Sequence, residues 1–542
     1  GRFFYNDEKW SINASGSYYK GKSFNDREVN QIIQLGTDRR NLYQDNYWLP
    51  ETESKSFNLG VERKLNKNQL ISTEWQIYSE RGDELTTGRT LDLLNDDLQN
   101  EVQLMKNVTT PVDQVSGNLF YNFTSDSLTT KVDAQINYSH YQKLIKGFQQ
   151  NEYSSGNIDR LDGFNQTKYN LMNAQIDLNQ KLSPKLNLEA GAKFSYVDMN
   201  YFNQYEIAQG NSFIIPDSLM INDFIYKEKL TSAYSQLNYN VEKWNFLIGL
   251  RMENYVYEAI SKINNQTNED DYTNWFPSAS INYQNDKHQY RASYSRRIQR
   301  PGYLNLNPYF QYLDAYSIER GNPNLKPQMY HSFELNYIYN NALSFGLYGY
   351  LYKDGFVDVV DYQDEENYNI IYESNASSGS RFGFSAGIPY EIGKWWTMQF
   401  GLDAYLESEK SEIPDYTYDG TGYGYEINMY HRFTLPKSWV FTLNGFFNGR
   451  SQTPTGYNPM IYDFSTSVRK SFMDEKLQFT AGCSNILKKS MWNAYSTVDN
   501  VTTHWVNKWE TRRFYLQLTY KFGGNKEKKV KNTSLEEEQG RM

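Results

Sequence analysis

Residues 513–522 read RFYLQLTYKF, and the fold is decided there. Phe514, Leu516, Leu518, Tyr520 and Phe522 share one side, while Tyr515, Gln517, Thr519 and Lys521 share the other. A repeat of two is the signature of a strand, since a helix would repeat every 3.6 residues. Residues 131–139 carry the same pattern, with Val132, Ala134, Ile136 and Tyr138 set against Lys131, Asp133, Gln135, Asn137 and Ser139. So do 186–196, where Leu188, Ala190, Ala192 and Phe194 oppose Asn187, Glu189, Gly191, Lys193 and Ser195. In 396–406, Met398, Phe400, Leu402 and Ala404 oppose Gln399, Gly401, Asp403 and Tyr405. A tilted strand crosses a bilayer in roughly 9–11 residues with only alternate ones apolar, and these runs have that length.

Outward from these runs, one unit recurs: strand, tight turn, strand, long polar segment. Clusters of Asn, Asp, Gly, Pro and Lys place tight turns near 6–8, 64–68, 125–127, 183–184, 240–242, 284–286, 340–341, 392–393, 436–437 and 473–475. Long loops are expected at 21–52, 82–111, 143–168, 200–227, 261–273, 298–328, 354–379, 409–422, 451–460 and 485–510. About ten such units give about twenty strands, with residues 1–5 ending one more. Short connections at one end and long ones at the other are the asymmetry of an outer-membrane barrel, with periplasmic turns and extracellular loops.

Composition agrees. Only 39% of the 542 residues are hydrophobic, yet 16% are aromatic, with Tyr 48, Phe 30 and Trp 11. No stretch of about 18 consecutive apolar residues occurs, which excludes a transmembrane helix but not a transmembrane strand. Barrels set aromatic residues in girdles at both interfaces, and a polar face on nearly every strand suits a wet lumen inside a lipid-facing wall. Closure would also pair strand edges that an open sheet of this size leaves bare. The expected fold is therefore all-β: a transmembrane, antiparallel, up-and-down barrel of about 20–22 strands over residues 1–522, in the bacterial outer membrane with lipid around it. Residues 523–542 lack alternation and are strongly charged, so a mobile periplasmic tail is expected there. The single cysteine, Cys483, rules out an intrachain disulfide, and a net charge of −9 without a basic stripe argues against nucleic acid.

One segment is more specific than the pattern. Residues 294–337 read YSRRIQRPGYLNLNPYFQYLDAYSIERGNPNLKPQMYHSFELNY. Pro301, Pro308, Pro323 and Pro327 restrict the backbone and Gly321-Asn322 supplies turn geometry, so an ordered loop is expected. Arg296, Arg297, Arg300 and Arg320 are available to pair with acidic residues such as Glu319 and Glu334. This string resembles the barrel of TonB-dependent outer-membrane receptors, especially the large Bacteroidetes-type group, in which a GNPxLKPE-like stretch follows a late loop. Gln328 stands where Glu is commoner, and the closing RRFYLQLTYKFG is similar to that family's last strand. The motif residues carried over are Arg300, Pro301, Asn307, Pro308, Arg320, Gly321, Asn322, Pro323, Lys326 and Pro327.

The resemblance implies a barrel of 22 strands closed by an N-terminal plug. The strand count then places the first strand and the plug ahead of Gly1, together with the segment that meets TonB. It further implies a receptor that binds a scarce extracellular nutrient (siderophore, glycan, peptide or similar) and imports it with TonB-derived energy, with a surface lipoprotein as a further partner. The alternatives are a passive outer-membrane channel or adhesin without TonB coupling, and a soluble all-β binding protein.

Weighed one by one, the site candidates thin out. The aromatics Tyr303, Tyr309, Phe310, Tyr312, Tyr416, Tyr418, Tyr423 and Tyr425 suit stacking on a ligand, and equally the packing of loops on one another. Asp361, Asp364, Glu365 and Glu366, or Glu269, Asp270 and Asp271, lack the spacing of a calcium loop. The histidines at 140, 288, 331, 431 and 504 show no metal-ligand spacing. Gly420, Gly422 and Gly424 lack the strand–turn–helix context of a nucleotide site. No nucleophile sits beside a base, so no catalytic residue, metal or cofactor is expected and the chain is not read as an enzyme.

Overall fold

The structure is a computed structural model that describes residues 1–210, 220–263, 265–363, 368–413, 416–453, 455–498, 500–522 and 535–542. Among the described residues, twenty wall strands run from Trp10–Lys22 to Arg513–Tyr520, and each is paired antiparallel to its neighbours along the chain. Tight turns fall at the expected sites. At Asn340 and Asn341 the backbone takes φ of +52° and +54°, the left-handed pair that matches a two-residue hairpin to the twist of its strands.

The wall is inverted relative to a soluble sheet. On residues 131–139, Ile136 and Tyr138 are exposed while Asn137 and Ser139 are buried. Asn137 donates to Asn173 Oδ1 across the strand pair at 2.7 Å. Leu237, Ile248, Leu250, Ile281, Leu335 and Leu347 continue the outward apolar band around neighbouring strands. Near the tight turns the wall carries aromatic rings in contact, such as Trp244–Tyr283 at 4.8 Å and Tyr290–Tyr337 at 4.9 Å. An apolar ring with a polar tip suits an interface between lipid and water.

Most of the expected long loops are strands. Gln69–Leu94 and Asp97–Thr124 pair from Gln69↔Phe123 to Leu94↔Asp97, through the whole of 82–111. Residues 143–168 likewise belong to the hairpin of Thr130–Tyr153 with Ile158–Lys181. The physical reason is solvent. Beyond the bilayer both faces of a hairpin meet water, so its backbone pairs without any alternation of hydrophobicity to mark it.

The ring closes beyond the membrane. Val501–Trp509 pairs with Asn25–Leu35, from Val501↔Ile33 to Trp509↔Asn25, and so joins the last hairpin to the first. Below that join, Arg2–Asn6 pairs only with Trp10–Lys22, and Arg513–Tyr520 only with Leu477–Ser484, among the described residues. Both of these edge strands run toward the tight-turn end.

Of the expected charged tail, residues 523–534 lie outside the described residues, and 535–542 pack on the inner wall, with Leu535 and Glu538 buried. The physical reason is pairing. Charged residues leave water only where partners meet them, and here Glu537, Glu538 and Arg541 each find an opposite charge.

Candidate functional site in the lumen

Residues 300–327 leave the wall after His288–Gln299 and cross the inside of the ring. The segment forms a 3-10 turn, Leu304–Leu306, then a small hairpin of Phe310–Asp314 with Ser317–Arg320. That hairpin adds a parallel pairing to Tyr368–Ile392, Ser317↔Asn369 to Glu319↔Ile371. On the opposite side of the ring it takes hydrogen bonds from the wall. Asn151 Nδ2 donates to the Tyr312 hydroxyl (2.9 Å), Asn100 Nδ2 to Tyr316 Oη (3.3 Å) and Gln44 Nε2 to Asp314 (3.4 Å). A proline-restricted loop tied on both sides behaves as a strut.

The motif residues make that strut. Gly321 packs so closely that a Cβ there would lie 2.2 Å from the carbonyl oxygen of Asn307, which excludes any side chain. Asn307 accepts from Asn222 Nδ2 at 3.2 Å. Asn322 Nδ2 donates to the carbonyl of Glu373 (3.1 Å), while the Lys326 amide donates to Asn375 Oδ1 (2.5 Å) and the Lys326 carbonyl accepts from Asn375 Nδ2 (2.8 Å). Arg320 stacks its guanidinium over Tyr372 at 4.8 Å. Pro301 is buried, and Pro308, Pro323 and Pro327 are half-buried along the same path.

Arg300 is the pivot. Its guanidinium reaches Glu253 (2.7 Å) and Glu537 (3.0 Å) and lies over the Tyr255 ring at 4.8 Å. Burial opposes the charge, but Glu253, Tyr272 and Glu537 together outweigh it, and the guanidinium pKa lies above its ordinary value. Arg296 donates instead to the Trp275 carbonyl and Arg297 to Ser295. Among the described residues no ion pair joins these arginines to Glu319 or Glu334, which lie on the strands Ser317–Arg320 and Gln328–Tyr339. Partial desolvation inside the ring, reinforced by nearby Asp358, raises the Glu319 carboxyl above its ordinary value.

The candidate aromatics separate into two groups. Tyr303, Tyr309 and Tyr312 are buried in the lumen with Phe310 packed beside them, whereas Tyr423 and Tyr425 are exposed on the outer side of Tyr416–Leu435. The side chains of Tyr416 and Tyr418 lie outside the described residues. Tyr303 is fully enclosed between Tyr169 (5.8 Å) and Tyr226 (5.4 Å).

Around these rings the inner wall contributes residues that motif reading missed: Tyr169 and Leu171, Val197, Met199 and Tyr201, Phe224 and Tyr226. The signal was in the pattern all along. Val197, Met199 and Tyr201 continue the phase of Lys193 and Ser195, so the apolar residues change faces halfway up Leu186–Gln209. Beside them a cavity of about 290 Å³ opens, lined by Lys106, Lys143, Phe148, Phe164, Tyr205 and Tyr312 among others. Its ammonium groups and rings suit an anionic or aromatic small molecule. Of the acidic clusters, Glu269, Asp270 and Asp271 lie along Gln266–Gln284, and Asp364, Glu365 and Glu366 lie outside the described residues. No group of three metal-type ligands is gathered among the described residues.

An antiparallel barrel with an apolar exterior, a polar interior and an ordered strut across its lumen is a membrane pore protein of the outer-membrane kind. Residues 122–520 match the model of the Outer membrane protein beta-barrel family, and the chain belongs to that family. It is an outer-membrane protein. Solved structures with the same fold include the siderophore receptor PirA from Pseudomonas aeruginosa, at 14% identity and a TM-score of 0.51 over 91% of this chain and 80% of that one. The copper transporter OprC is similar at 11% identity and a TM-score of 0.55, covering 90% and 83%. The ferric yersiniabactin uptake receptor FyuA from Yersinia pestis is similar at 10% identity and a TM-score of 0.54, covering 91% and 80%. No curated protein matches the chain in sequence.

Proposed function

We propose that this barrel is the pore of an outer-membrane receptor that binds a scarce extracellular nutrient and imports it with energy delivered by TonB. The observation that supports it best is the strut 300–327, which obstructs a lumen that a passive channel would keep clear. A pore that must be opened for each passage needs an energy source, and the outer membrane has none of its own. The plug and the TonB-contacting segment would lie ahead of Gly1, with one further strand to fill the seam between Arg2–Asn6 and Arg513–Tyr520. The cargo class follows the cavity beside the strut and the structural likeness to receptors for siderophores: a siderophore, glycan or peptide, received with or without a surface lipoprotein. Nothing in this arrangement calls for an enzymatic step.

The test uses the intact gene. Deleting it is expected to abolish uptake of at least one member of a panel of labelled ferric siderophores, oligosaccharides and peptides. In the parent strain a protonophore is expected to stop that uptake within minutes. Uptake that survives the protonophore would favour the passive channel and end this reading.

A further inference from the structure

We propose that the lumen contains a peptide-binding site, occupied here by the chain's own C-terminal residues 535–542 (LEEEQGRM), that recognises an arginine preceded by two glutamates. The site adjoins the cavity beside the strut, from which the cargo class is proposed, since Met542 and Tyr169 line that cavity, and it does not rest on TonB coupling.

Its first part is an arginine socket. Glu228 is 3% exposed, and its carboxylate accepts from the hydroxyls of Tyr226 (2.9 Å) and Tyr255 (2.6 Å). One Nη of Arg541 reaches both Glu228 oxygens at 2.8 and 2.7 Å, and the other donates to Tyr255 Oη at 3.2 Å. Arg541 Nε donates to the Pro301 carbonyl (3.0 Å), and the guanidinium lies 4.2 Å over the Tyr303 ring. Carboxylate, carbonyl, hydroxyl and aromatic face together fit a planar, five-donor cation and not a compact ammonium.

The second part is a carboxylate clamp. Glu538 is buried and takes Lys193 Nζ at 2.8 Å and Ser195 Oγ at 2.6 Å. Glu537 lies between Lys193 (3.4 Å) and Arg300 (3.0 Å). The single helical turn Glu536–Gln539 carries both carboxylates, three and four residues ahead of Arg541, whose amide donates to the Glu538 carbonyl (3.4 Å). Backbone contacts complete the recognition. The Tyr303 amide donates to the Arg541 carbonyl (3.2 Å) and the Tyr303 hydroxyl to the Glu538 carbonyl (3.3 Å). Leu535 and Met542 anchor the two ends in the apolar cluster around Tyr169.

Chemistry on the wall argues that the site is built for an occupant. Without Arg541, Glu228 keeps its two tyrosine donors but loses the only cation it pairs with among the described residues. A carboxylate buried in that way is costly, so the wall favours a guanidinium from whichever segment offers one.

The experiment compares the whole chain with one ending at residue 534, both folded in detergent micelles and both checked by heat-modifiable gel migration. The probe is fluorescein-labelled LEEEQGRM, followed by anisotropy. The shortened chain is expected to bind it saturably, and the whole chain at least about tenfold more weakly, because its own terminus competes. Replacing the peptide's arginine by alanine, or making Glu228→Gln in the shortened chain, is expected to weaken binding at least about thirtyfold. Absence of saturable binding to the folded, shortened chain overturns the site. Equal binding by the two chains overturns occupancy by the chain's own end. Indifference to both substitutions overturns the recognition assigned here.

Discussion

Replacing Arg300 with methionine is expected to loosen the strut and the terminal peptide together, raising amide exchange across 300–327 and 535–542 by roughly a hundredfold. The argument is electrostatic. Arg300 and Glu253 are each buried, with side chains 3% exposed, and the pair is joined at 2.7 Å. Removing one partner of such a pair costs about 3–5 kcal/mol, since it leaves a buried charge uncompensated. Arg251 still reaches Glu253 at 3.1 Å, so the lower end applies, and about 3 kcal/mol corresponds to that hundredfold. Methionine keeps most of the volume, so packing around Tyr255 and Tyr303 stays close to native. Hydrogen exchange read by mass spectrometry checks the result. Unchanged protection in both segments would show that the prolines and the backbone pairing hold the strut without the ion pair.

Placing an arginine on the outer wall is expected to be nearly as damaging, and there the surroundings decide the effect. Ile248 is 69% exposed on the outward face of Trp244–Ser261. In a bilayer that exposure is to hydrocarbon, and an arginine near the midplane destabilises a barrel by about 2–4 kcal/mol. The comparison is Gln236→Arg on the adjacent strand. Gln236 faces inward and donates to Glu189 Oε2 at 3.2 Å, so an arginine there meets an opposite charge. Its effect is expected to stay within about 0.5 kcal/mol. Urea unfolding from phospholipid vesicles measures both. Equal costs at the two positions would mean that the wall does not separate lipid from water.

How far the sequence discloses this molecule depends on where each residue sits relative to the bilayer. Within the membrane, lipid outside and polar groups inside force a strict alternation, so 131–139 and 513–522 can be read directly. The tight turns are equally legible, because Asn340-Asn341 and its counterparts need residues that tolerate positive φ. Above the membrane that constraint lapses, and 82–111 reads as loop although its backbone is paired on both sides of the turn at Asn95-Asp96.

The inner site was legible only in half. Pro301, Gly321 and Asn322 announce an ordered loop through their own backbone chemistry. Glu253, which holds Arg300, and Glu228 and Lys193, which hold the terminal residues, sit on strands far away in sequence and carry no local mark. The change of phase at Val197, Met199 and Tyr201 is the exception, since apolar residues on the lumen side have a purpose only if something packs against them. The charged terminus reads as solvated because its counter-charges are more than two hundred residues distant.

The most direct test of the central claim, a lipid-facing wall around a polar lumen, is a spin-label scan of residues 187–194 in Cys483→Ser protein reconstituted in vesicles. Oxygen dissolved in the bilayer is expected to relax labels at Leu188, Ala190, Ala192 and Phe194. A water-soluble nickel chelate is expected to relax those at Asn187, Glu189, Gly191 and Lys193. The opposite phase, with the even positions shielded from both reagents and the odd ones open to water on the outside, would describe a soluble sheet and contradict the account.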